Sequence, residues 1–458
     1  MSETLNSPAA LSGPAEGNVL DLDLLRYESL LDRVHLTEDS GKITQVIGQL
    51  MMGYLPGATI GSVCEVFPSQ SFPKFLAEVV GFKDRNVMLM PLGEMRGVGL
   101  GSRIVLERQV ATIKVGPHLL GRVINGLGEP LDGLGPIESV EESLIYNAVG
   151  NPLERKPIHE PMDLGVRAIN SMITAGRGQR IAIMAGSGVG KSVLMGMMAR
   201  GSNSDVNVIA MIGERGREVK EFIEEILGEE GLKRSVIVCA TSDQSPLLRM
   251  RASYVATTIA EYFMEQNQHV LLMMDSCTRF AMAQREIGLS TGEPPASKGY
   301  TPSVFAALPK LLERAGNFYG KGSITGLYTV LVEGDDMDDV IGDAVRSIVD
   351  GHIVLDRKLA SRGHFPAIDV LPSTSRVMRQ VVPPEFMRVA RAMREQLAVY
   401  REAEDLINIG AYKSGSNPAI DEAIRLYPSI IEFLRQEVDE STDLVTCAKM
   451  MGRIVGNR

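Results

Sequence analysis

A glycine-rich loop between an apolar run and a helical pattern constrains the fold more than any other stretch of the chain. Residues 181–184 predict a short buried strand, and residues 193–199 predict a helix. In such a loop glycines let consecutive backbone N–H groups surround a phosphate, and the helix N-terminus adds positive charge. The loop reads Ala185-Gly186-Ser187-Gly188-Val189-Gly190-Lys191-Ser192.

This order of strand, loop and helix predicts a phosphate-binding P-loop. Lys191 is expected to reach the β and γ phosphates of a nucleotide, and Ser192 is expected to give its hydroxyl to Mg²⁺. Ala185 departs from the usual pattern, which begins with glycine. A simple glycine-rich turn is the alternative, and the flanking elements favour phosphate binding. The predicted nucleotide-binding residues are Gly186, Ser187, Gly188, Val189, Gly190, Lys191, Ser192 and Val193.

Composition limits the class of protein. A chain of 458 residues with 44% hydrophobic residues is long enough for two or three domains with buried cores. A net charge of −10 argues against general nucleic-acid binding. The sequence has no secretory signal pattern and no apolar run that approaches the roughly 20 residues of a membrane span, so any membrane association is expected to be peripheral. A reducing compartment fits the four widely spaced cysteines, Cys64, Cys239, Cys277 and Cys447.

The composition and residue pattern of the chain predict several regions in succession. Residues 1–20 are predicted to be a flexible tail, because their composition cannot bury enough apolar surface. An amphipathic pattern over residues 21–33 is either a docking strut or a partner-binding arm, and both interpretations stay open. Residues 21–110 are predicted to comprise this arm and, after it, a small β-barrel. The short strands predicted for the barrel are 42–47, 62–66, 75–80, 86–90 and 103–106. A turn-dense linker follows over residues 121–133.

The rest of the chain predicts an α/β domain and then helices. The α/β domain is predicted over residues 111–384. Strands alternate with helices from about residue 136 to residue 384, which indicates a mainly parallel sheet with helices on both faces. Residues 333–339 are acidic and are expected to form a solvated loop or an inter-subunit contact. From residue 385 to residue 458 the pattern is helical, and Gly410 is expected to end the first of these helices.

Two carboxylates follow buried strands of the α/β region. Asp275 comes after four apolar residues and is a Walker B candidate that would hold the Mg²⁺ shell. Glu214 ends the strand after the P-loop helix and is a candidate for activating the water that attacks the γ-phosphate. An ordinary solvated charge cluster is an equally good interpretation of Glu214 from spacing alone. Because ligands bind at the carboxyl ends of parallel strands, both side chains should face the phosphate loop.

Five blocks of the sequence stand out together: the phosphate loop 185–192 and the segments 213–219, 274–280, 292–305 and 372–378. Together they closely resemble the export ATPases of type III secretion systems, flagellar or injectisome. This family is similar to the subunits of rotary ATP synthases, so the resemblance implies an N-terminal β-barrel, a RecA-like P-loop core and a C-terminal helical domain. The resemblance covers essentially the whole chain after about residue 20.

The resemblance also implies roles for individual residues. Glu214 is implied as the catalytic carboxylate, and Arg215 and Arg279 as arginines that line the same pocket. Arg376 is implied as an arginine finger that enters the site of the neighbouring subunit, a role that rests wholly on the family. The rotary catalytic subunit stacks adenine on a tyrosine after this segment, and this chain has Phe386-Met387 near that place.

As function, the resemblance implies ATP hydrolysis with Mg²⁺ in a homohexamer around a central stalk protein. The expected partners are a stator protein on the N-terminal arm and export chaperone–cargo complexes, at the export gate of the inner membrane. Residues 281–288 look more like flagellar members, whereas residues 421–436 look more like some injectisome members, and the flagellar interpretation is favoured. The alternatives are a noncatalytic nucleotide-binding scaffold and a RecA-like nucleic-acid translocase; Glu214 and the acidic charge count against them.

Overall fold

Antiparallel strands form a closed barrel at the start of the part of the chain that the computed structural model describes, which comprises residues 39–69, 71–138, 141–332 and 339–456. The first strand pairs with the last and closes the barrel, with Ser40 opposite Val105. Inward side chains such as Ile43, Leu89 and Ile104 form the core of the barrel. In chain order its strands are Ser40–Ile47, Leu50–Tyr54, Val63–Phe67, Phe75–Lys83, Asn86–Pro91 and Arg103–Arg108.

The predicted barrel is confirmed, and it contains one strand that the sequence pattern did not indicate. Leu50–Tyr54 is a short apolar run without alternation, and it contains Gly53, a residue type that is depleted in strands. Gly53 is required there, because a Cβ atom would lie 2.5 Å from the Lys42 carbonyl oxygen. The predicted tail (1–20), the amphipathic pattern (21–33) and the acidic run 333–338 lie outside the described residues.

A large sheet follows the barrel, and its strands run parallel to their neighbours except for the outermost strand at one side and one short strand that pairs with Ser323–Leu331. The phosphate-loop strand lies near the middle, where strands on both sides complete its hydrogen bonds. The spatial order is Ile368–Ser375 (antiparallel), Gly351–Leu355, Arg180–Ala185, Ser323–Leu331, His269–Asp275, Val206–Ile212, Ser235–Ala240 and Val123–Asn125, with Gly316–Asn317 paired antiparallel to Ser323–Leu331. Two short ladders stand apart: Thr112–Val115 with Glu141–Leu144, and Pro161–Met162 with Ala175–Gly176.

Strand Val123–Asn125 corrects the predicted linker. Residues 121–133 do contain tight turns, but Val123–Asn125 also pairs with Ser235–Ala240 and extends the sheet by one edge strand. Three residues between turns are too short to give a recognisable strand pattern. The sheet therefore begins before the residues that the sequence predicted.

Both faces of the sheet are buried, because successive side chains of each strand point to opposite faces. In Val206–Ile212, for example, Val208 and Ala210 face one core, and Ile209 and Met211 face the other. Helices cover the two faces. The helices are Arg167–Met172, Lys191–Gly201, Gly216–Glu221, Gly228–Lys233, Pro246–Glu265, Cys277–Thr291, Pro302–Leu312, Val340–Ile348, Arg357–Ser361 and Met378–Val381, with a π-helical turn at Phe222–Leu227 and 3₁₀ turns at Pro117–Leu119, Pro152–Glu154 and Ser297–Gly299.

The C-terminal helices are Pro384–Asn408, Pro418–Leu434 and Leu444–Gly456. Their buried side chains, including Met393 and Ile430, pack in the same core as the phosphate-loop helix. Gly410 has φ +70° and follows the end of the first of them, as its sequence position predicts. Among the helices of the described residues, none combines the length and the apolar composition needed to cross a membrane.

A buried ion pair joins the barrel to helix Pro246–Glu265. Arg251 Nη1 donates to Glu78 Oε2 at 2.7 Å, and their side chains are only 5% and 4% exposed. Tyr146 Oη donates to the other Glu78 oxygen at 2.7 Å, and Arg251 Nε donates to the Gly126 carbonyl at 3.2 Å. Because a buried charge without a partner is costly, this network holds the barrel against the sheet in one arrangement.

We expect Glu78→Gln to lower the free energy of unfolding by about 3 kcal/mol or more, because it leaves the Arg251 guanidinium buried without a carboxylate. Urea denaturation followed by circular dichroism measures the loss. The matched control is Glu65→Gln on the neighbouring strand. Glu65 pairs with Lys74 at 2.6 Å, but these side chains are 23% and 59% exposed, so its loss should stay below about 1 kcal/mol. Equal losses in the two variants would contradict the role of the buried pair.

Candidate functional site

The phosphate loop lies between strand Arg180–Ala185 and helix Lys191–Gly201. Gly188 and Gly190 have φ values of +77° and +89°, which residues with a Cβ adopt only with strain. Val189 is 1% exposed and anchors the loop to the core beneath it. Ala185 is the last residue of the strand and pairs with its neighbours there. An alanine is therefore compatible with the position where the usual pattern has glycine.

Three charged side chains meet at the start of the loop helix. Lys191 Nζ lies 2.5 Å from Asp275 Oδ1 and 3.7 Å from Glu214 Oε1. Asp275 also accepts a hydrogen bond from Thr329 Oγ1 at 2.7 Å. The exposed fractions are 12% for Lys191, 14% for Glu214 and 2% for Asp275. One lysine thus compensates two buried carboxylates.

Parallel strands bring these side chains together. The loop follows strand Arg180–Ala185, Asp275 ends strand His269–Asp275, and Glu214 follows strand Val206–Ile212. These strands lie close together in one sheet and run in the same direction, so their carboxyl ends meet at one edge. The sequence pattern predicted that both carboxylates lie at this edge.

Glu214 has a perturbed ionisation. The pKa of Glu214 is raised to about 7, chiefly by burial; the nearby Lys191 ammonium lowers it, and the Asp275 carboxylate raises it. A hydrogen bond between the Glu214 and Glu218 carboxyls also raises the pKa of Glu214 and lowers the pKa of Glu218. A carboxyl with a pKa near the working pH can both accept and release a proton. These contacts favour the catalytic interpretation of Glu214 over the solvated charge cluster.

The two arginines predicted for the pocket occupy different positions. Arg279, in the first turn of helix Cys277–Thr291, packs on Gly213, where a Cβ would lie 3.0 Å from the arginine. No described residue accepts a hydrogen bond from the buried Nε of Arg279, so this donor is available to a bound anion. Arg215 is 81% exposed at the mouth of the site and lies 3.4 Å from Glu218.

A cavity of about 650 Å³ opens between these side chains, a volume typical of small-molecule sites. Most of the predicted site residues line it. Val189 lies beneath the loop and Asp275 lies beneath Lys191. The predicted residues that line the cavity are Gly186, Ser187, Gly188, Gly190, Lys191, Ser192, Val193, Glu214, Arg215 and Arg279, and lining residues that the sequence did not indicate include Glu218, Ser242, Met282 and Arg357.

The oxygen donors beside Lys191 are compatible with Mg²⁺. Mg²⁺ is usually held by one or two protein oxygens together with substrate phosphates and waters. Ser192 and Asp275 provide a hydroxyl and a buried carboxylate at the loop. Across the described ranges there is no group of three or more His, Cys, Asp or Glu residues that could hold a metal by themselves.

Arg376 is far from this cavity. Strand Ile368–Ser375 runs antiparallel to its neighbour and ends at the amino-terminal edge of the parallel strands. The phosphate loop follows Ala185 at the carboxyl edge. Five residue steps of about 3.3 Å, roughly 17 Å, separate the two edges. Arg376 is exposed and is not among the described residues that line the cavity.

Phe365 is an aromatic residue beside the loop that no sequence pattern indicated. Its side chain is 48% exposed, and its Cδ1 lies 4.0 Å from where a Cβ on Gly190 would be. Phe386 and Met387, which stand near the position of the adenine-stacking tyrosine in the sequence, instead pack against the core of the sheet and the loop helix. Only the fold brings Phe365 close to the loop, since 175 residues of chain separate Phe365 from Gly190.

Comparisons with known proteins identify two family regions. Residues 165–375 match the ATP synthase alpha/beta family, nucleotide-binding domain. Residues 382–453 match the T3SS EscN ATPase C-terminal domain. The first region contains the phosphate loop, Glu214 and Asp275, and the second comprises almost all of the C-terminal helices.

Whole-chain relatives agree with these regions. The flagellum-specific ATP synthase of Bacillus subtilis (strain 168) is 51% identical over 443 residues, which cover 94% of this chain and 100% of the relative. The type 3 secretion system ATPase of Xanthomonas euvesicatoria is 50% identical over 400 residues, 87% of this chain and 90% of the relative.

Solved structures agree as well. The assembled ATPase EscN of the enteropathogenic E. coli type III secretion system matches with a TM-score of 0.86 and 45% identity over 91% of this chain and 100% of the other. EscN in complex with its central stalk EscO matches with a TM-score of 0.84 and 44% identity at the same coverage. The chain therefore belongs to the family of flagellum-specific ATP synthases and type 3 secretion system ATPases, and it is an ATP-hydrolysing P-loop enzyme.

Proposed function

We propose that this chain is the ATPase subunit of a type III protein export apparatus, and that its active site is completed by a neighbouring subunit in a ring. One observation carries the proposal: the buried carboxylate Glu214 lies 3.7 Å from the phosphate-loop lysine, whereas Arg376 is exposed at the opposite edge of the sheet. A single chain thus has the groups for hydrolysis but cannot bring its own Arg376 to the phosphates.

In the proposed site the loop residues 186–193 hold the phosphates of ATP, and Lys191 contacts the β and γ phosphates. Ser192 and Asp275 would hold Mg²⁺, which would supply positive charge to the phosphate oxygens. Arg279 donates to phosphate oxygens from within the pocket, and Arg215 does so from its mouth. Phe365 lies beside the base, and its exposed ring offers a stacking surface.

Glu214 activates the attacking water. Water oxygen forms the new bond to the γ-phosphorus while the bond from that phosphorus to the bridging β–γ oxygen breaks, which yields ADP and phosphate. Glu214 accepts the proton that the water loses, so it must be a carboxylate at the start of the reaction. Its raised pKa makes it a stronger base than an exposed glutamate. Once it has accepted the proton, Glu214 can donate a hydrogen bond to the Glu218 carboxylate.

Arg376 stabilises the transferring phosphoryl group of the neighbouring subunit. A guanidinium supplied in trans neutralises charge that develops in the transition state. Hydrolysis then depends on assembly, because no site is complete in an isolated chain. Support comes from EscN, which is 45% identical and has been solved in an assembled form.

The proposed partners follow from the relatives. EscN has been solved with its central stalk EscO, and we propose that six copies of this chain surround a comparable stalk. The N-terminal arm would contact a stator protein, and chaperone–cargo complexes would contact the ring, which releases the chaperone and passes the cargo to export. The ring would lie in the cytoplasm, peripheral to the inner membrane. We favour flagellar export because of the resemblance of residues 281–288 to flagellar members.

The shared site predicts that ATPase activity depends on assembly of the ring. Specific ATPase activity should rise with protein concentration, and Arg376→Ala should lower kcat by about 10³-fold or more while leaving nucleotide binding intact. Glu214→Gln should also bind nucleotide without hydrolysing it. Steady-state hydrolysis and binding of a fluorescent nucleotide measure these effects. The control is Arg379→Ala, an exposed arginine three residues away, which should keep near wild-type activity. Activity that is independent of concentration and of Arg376 would refute the shared site.

The second prediction tests the ionisation of Glu214 without turnover. Its pKa is raised from 4.5 to about 7 in the folded protein, so the folded state binds this proton more tightly than the unfolded state. The contribution of Glu214 to stability therefore falls as the pH rises from about 4.5 to about 7. We expect the melting temperature of Glu214→Gln minus that of wild type to increase between pH 5 and pH 8, measured without nucleotide.

Glu224→Gln is the control for this titration, because Glu224 is 62% exposed and lies 3.8 Å from Lys220. Its difference from wild type should be small and nearly constant over the same pH range. If Glu214→Gln also shows no trend with pH, then Glu214 is not a buried base with a raised pKa.

The third prediction concerns the base. Phe365→Ala should weaken ATP binding by about 1 kcal/mol, roughly fivefold, because the stacking surface is removed. Pyrophosphate binding should not change, since pyrophosphate has no base. Competition titrations against a fluorescent nucleotide measure both affinities. Phe365→Tyr keeps a ring and should restore ATP binding, whereas an equal loss for ATP and pyrophosphate would indicate a general disturbance of the loop instead.

A further inference from the structure

A fully buried glutamine lies directly before the phosphate-loop strand, at the edge of the sheet that carries Arg376. Gln179 is 0% exposed. Its Nε2 donates to the Asp350 carbonyl at 3.0 Å and to Ser375 Oγ at 3.1 Å. Its Oε1 accepts from the backbone N–H of Gly176 at 2.9 Å. This side chain therefore joins three separate segments of the chain.

Ser375 is the residue before Arg376 and completes the network. Its Oγ donates to the Thr174 carbonyl at 2.9 Å while it accepts from Gln179. The backbone N–H of Arg376 donates to the Asp350 carbonyl at 2.9 Å, which is the same carbonyl that Gln179 contacts. The backbone on the amino-terminal side of Arg376 is thus held through two shared partners.

The surroundings allow little movement of this network. Asp350 is held by Arg180, which donates to its two carboxylate oxygens at 3.1 and 3.2 Å. Gly351 is packed so closely that a Cβ there would lie 2.6 Å from the Thr374 carbonyl and 3.1 Å from Gln179 Nε2. The Arg376 side chain, by contrast, is exposed. A fixed backbone with an exposed side chain is the arrangement expected of a group that must point in one direction at another molecule.

We propose that Gln179 and Ser375 form a clamp that sets the direction in which Arg376 leaves its subunit, so that Gln179 is a positioning residue for the active site of the neighbouring subunit. This inference rests on the proposed function, in which Arg376 acts in trans. A displacement of about 1 Å in a group that acts on the transition state can lower the rate by about 100-fold. Loss of the clamp should therefore lower kcat without weakening ATP binding.

A role in its own active site is the competing explanation, since Gln179 directly precedes the strand that ends at the phosphate loop. The two explanations differ in which subunit fails. If Gln179 acts through Arg376, the site of a variant subunit is intact and the finger that it offers is misplaced. If Gln179 acts through the strand, the variant's own phosphate site is defective.

The test is to mix variants in one ring. Gln179→Leu, with its own Glu214 intact, is assembled with an excess of Glu214→Gln subunits, whose own sites are inactive but whose Arg376 is undisturbed. Arg376→Ala mixed with Glu214→Gln is the reference, because its defect lies only in the finger. We expect Gln179→Leu alone to lose about 10- to 100-fold in kcat with little change in KM, and to regain activity per variant subunit when mixed, as the reference does.

The outcomes separate the two proposals. If the reference mixture regains activity and the Gln179→Leu mixture does not, the clamp is overturned and Gln179 acts on its own site. If the reference mixture regains nothing, Arg376 does not act in trans, and the proposed function fails together with the clamp. Regained activity in both mixtures supports both proposals.

Ser375 provides a milder pair of variants in case Gln179→Leu does not fold. Ser375→Ala removes the hydroxyl that links Gln179 to Thr174 and should show the same loss in kcat and the same regained activity in mixed rings. Ser375→Thr keeps the hydroxyl and should hydrolyse ATP faster than Ser375→Ala. Equal activity of the alanine, threonine and wild-type chains would overturn the role of Ser375 in the clamp.

Discussion

The rest of the active site depends on the Lys191 ammonium, because it compensates two carboxylates whose side chains are only 14% and 2% exposed. An isolated carboxylate as buried as Asp275 would cost several kcal/mol. Thr329 reduces that cost with a hydrogen bond, and Lys191 provides the charge. Phosphate entering the loop brings negative charge to the same ammonium. Asp275 then requires another cation, and Mg²⁺ bound to the phosphates would supply it.

The parallel sheet is what makes this cluster possible. Each strand that ends at the cluster is apolar at nearly every position, so hydrophobic burial drives it into the centre of the sheet. The polar residue that follows must then lie at the edge, since it is the first position that can leave the core. This is why Asp275 and Glu214 could be predicted to face the loop from their positions after apolar runs alone, without any contact being known.

Local pattern therefore predicts the parts of the molecule that depend on short stretches of chain. The phosphate loop, the strands before it and after it and the long helix from Pro384 follow from periodicity and glycine positions. The strand Leu50–Tyr54 does not, because it is a short apolar run that lacks alternation and contains a glycine. Val123–Asn125 is missed for a different reason: three residues gain strand character only by pairing with a sheet edge that already exists.

Local sequence patterns do not identify residues whose contacts are far away along the chain. Phe365 approaches Gly190 only because the sheet brings two remote segments together. Arg376 would be an unremarkable loop arginine without the family resemblance, and nothing near Gln179 in the sequence indicates that it contacts Ser375, 196 residues later. The contact of Gln179 with Ser375 depends on the register between strands Gly351–Leu355 and Ile368–Ser375. Such a register is set by long-range pairing, which a local sequence pattern does not contain.

One strand connects the two ends of this arrangement. Arg180–Ala185 is hydrogen-bonded to a parallel neighbour on each side, and it carries the phosphate loop at one end and begins beside Gln179 at the other. A strand paired on both sides cannot shift one end without the other, because slippage would break the ladders and turn its side chains to the wrong face. The phosphate loop and the network around Gln179 therefore lie at opposite ends of one strand, about 17 Å apart. The two ladders hold this strand in register without the Gln179 side chain, whereas the backbone at Ser375 and Arg376 depends on the contacts around Gln179 and Asp350. Loss of the proposed clamp would therefore disturb the segment before Arg376 more than the phosphate loop.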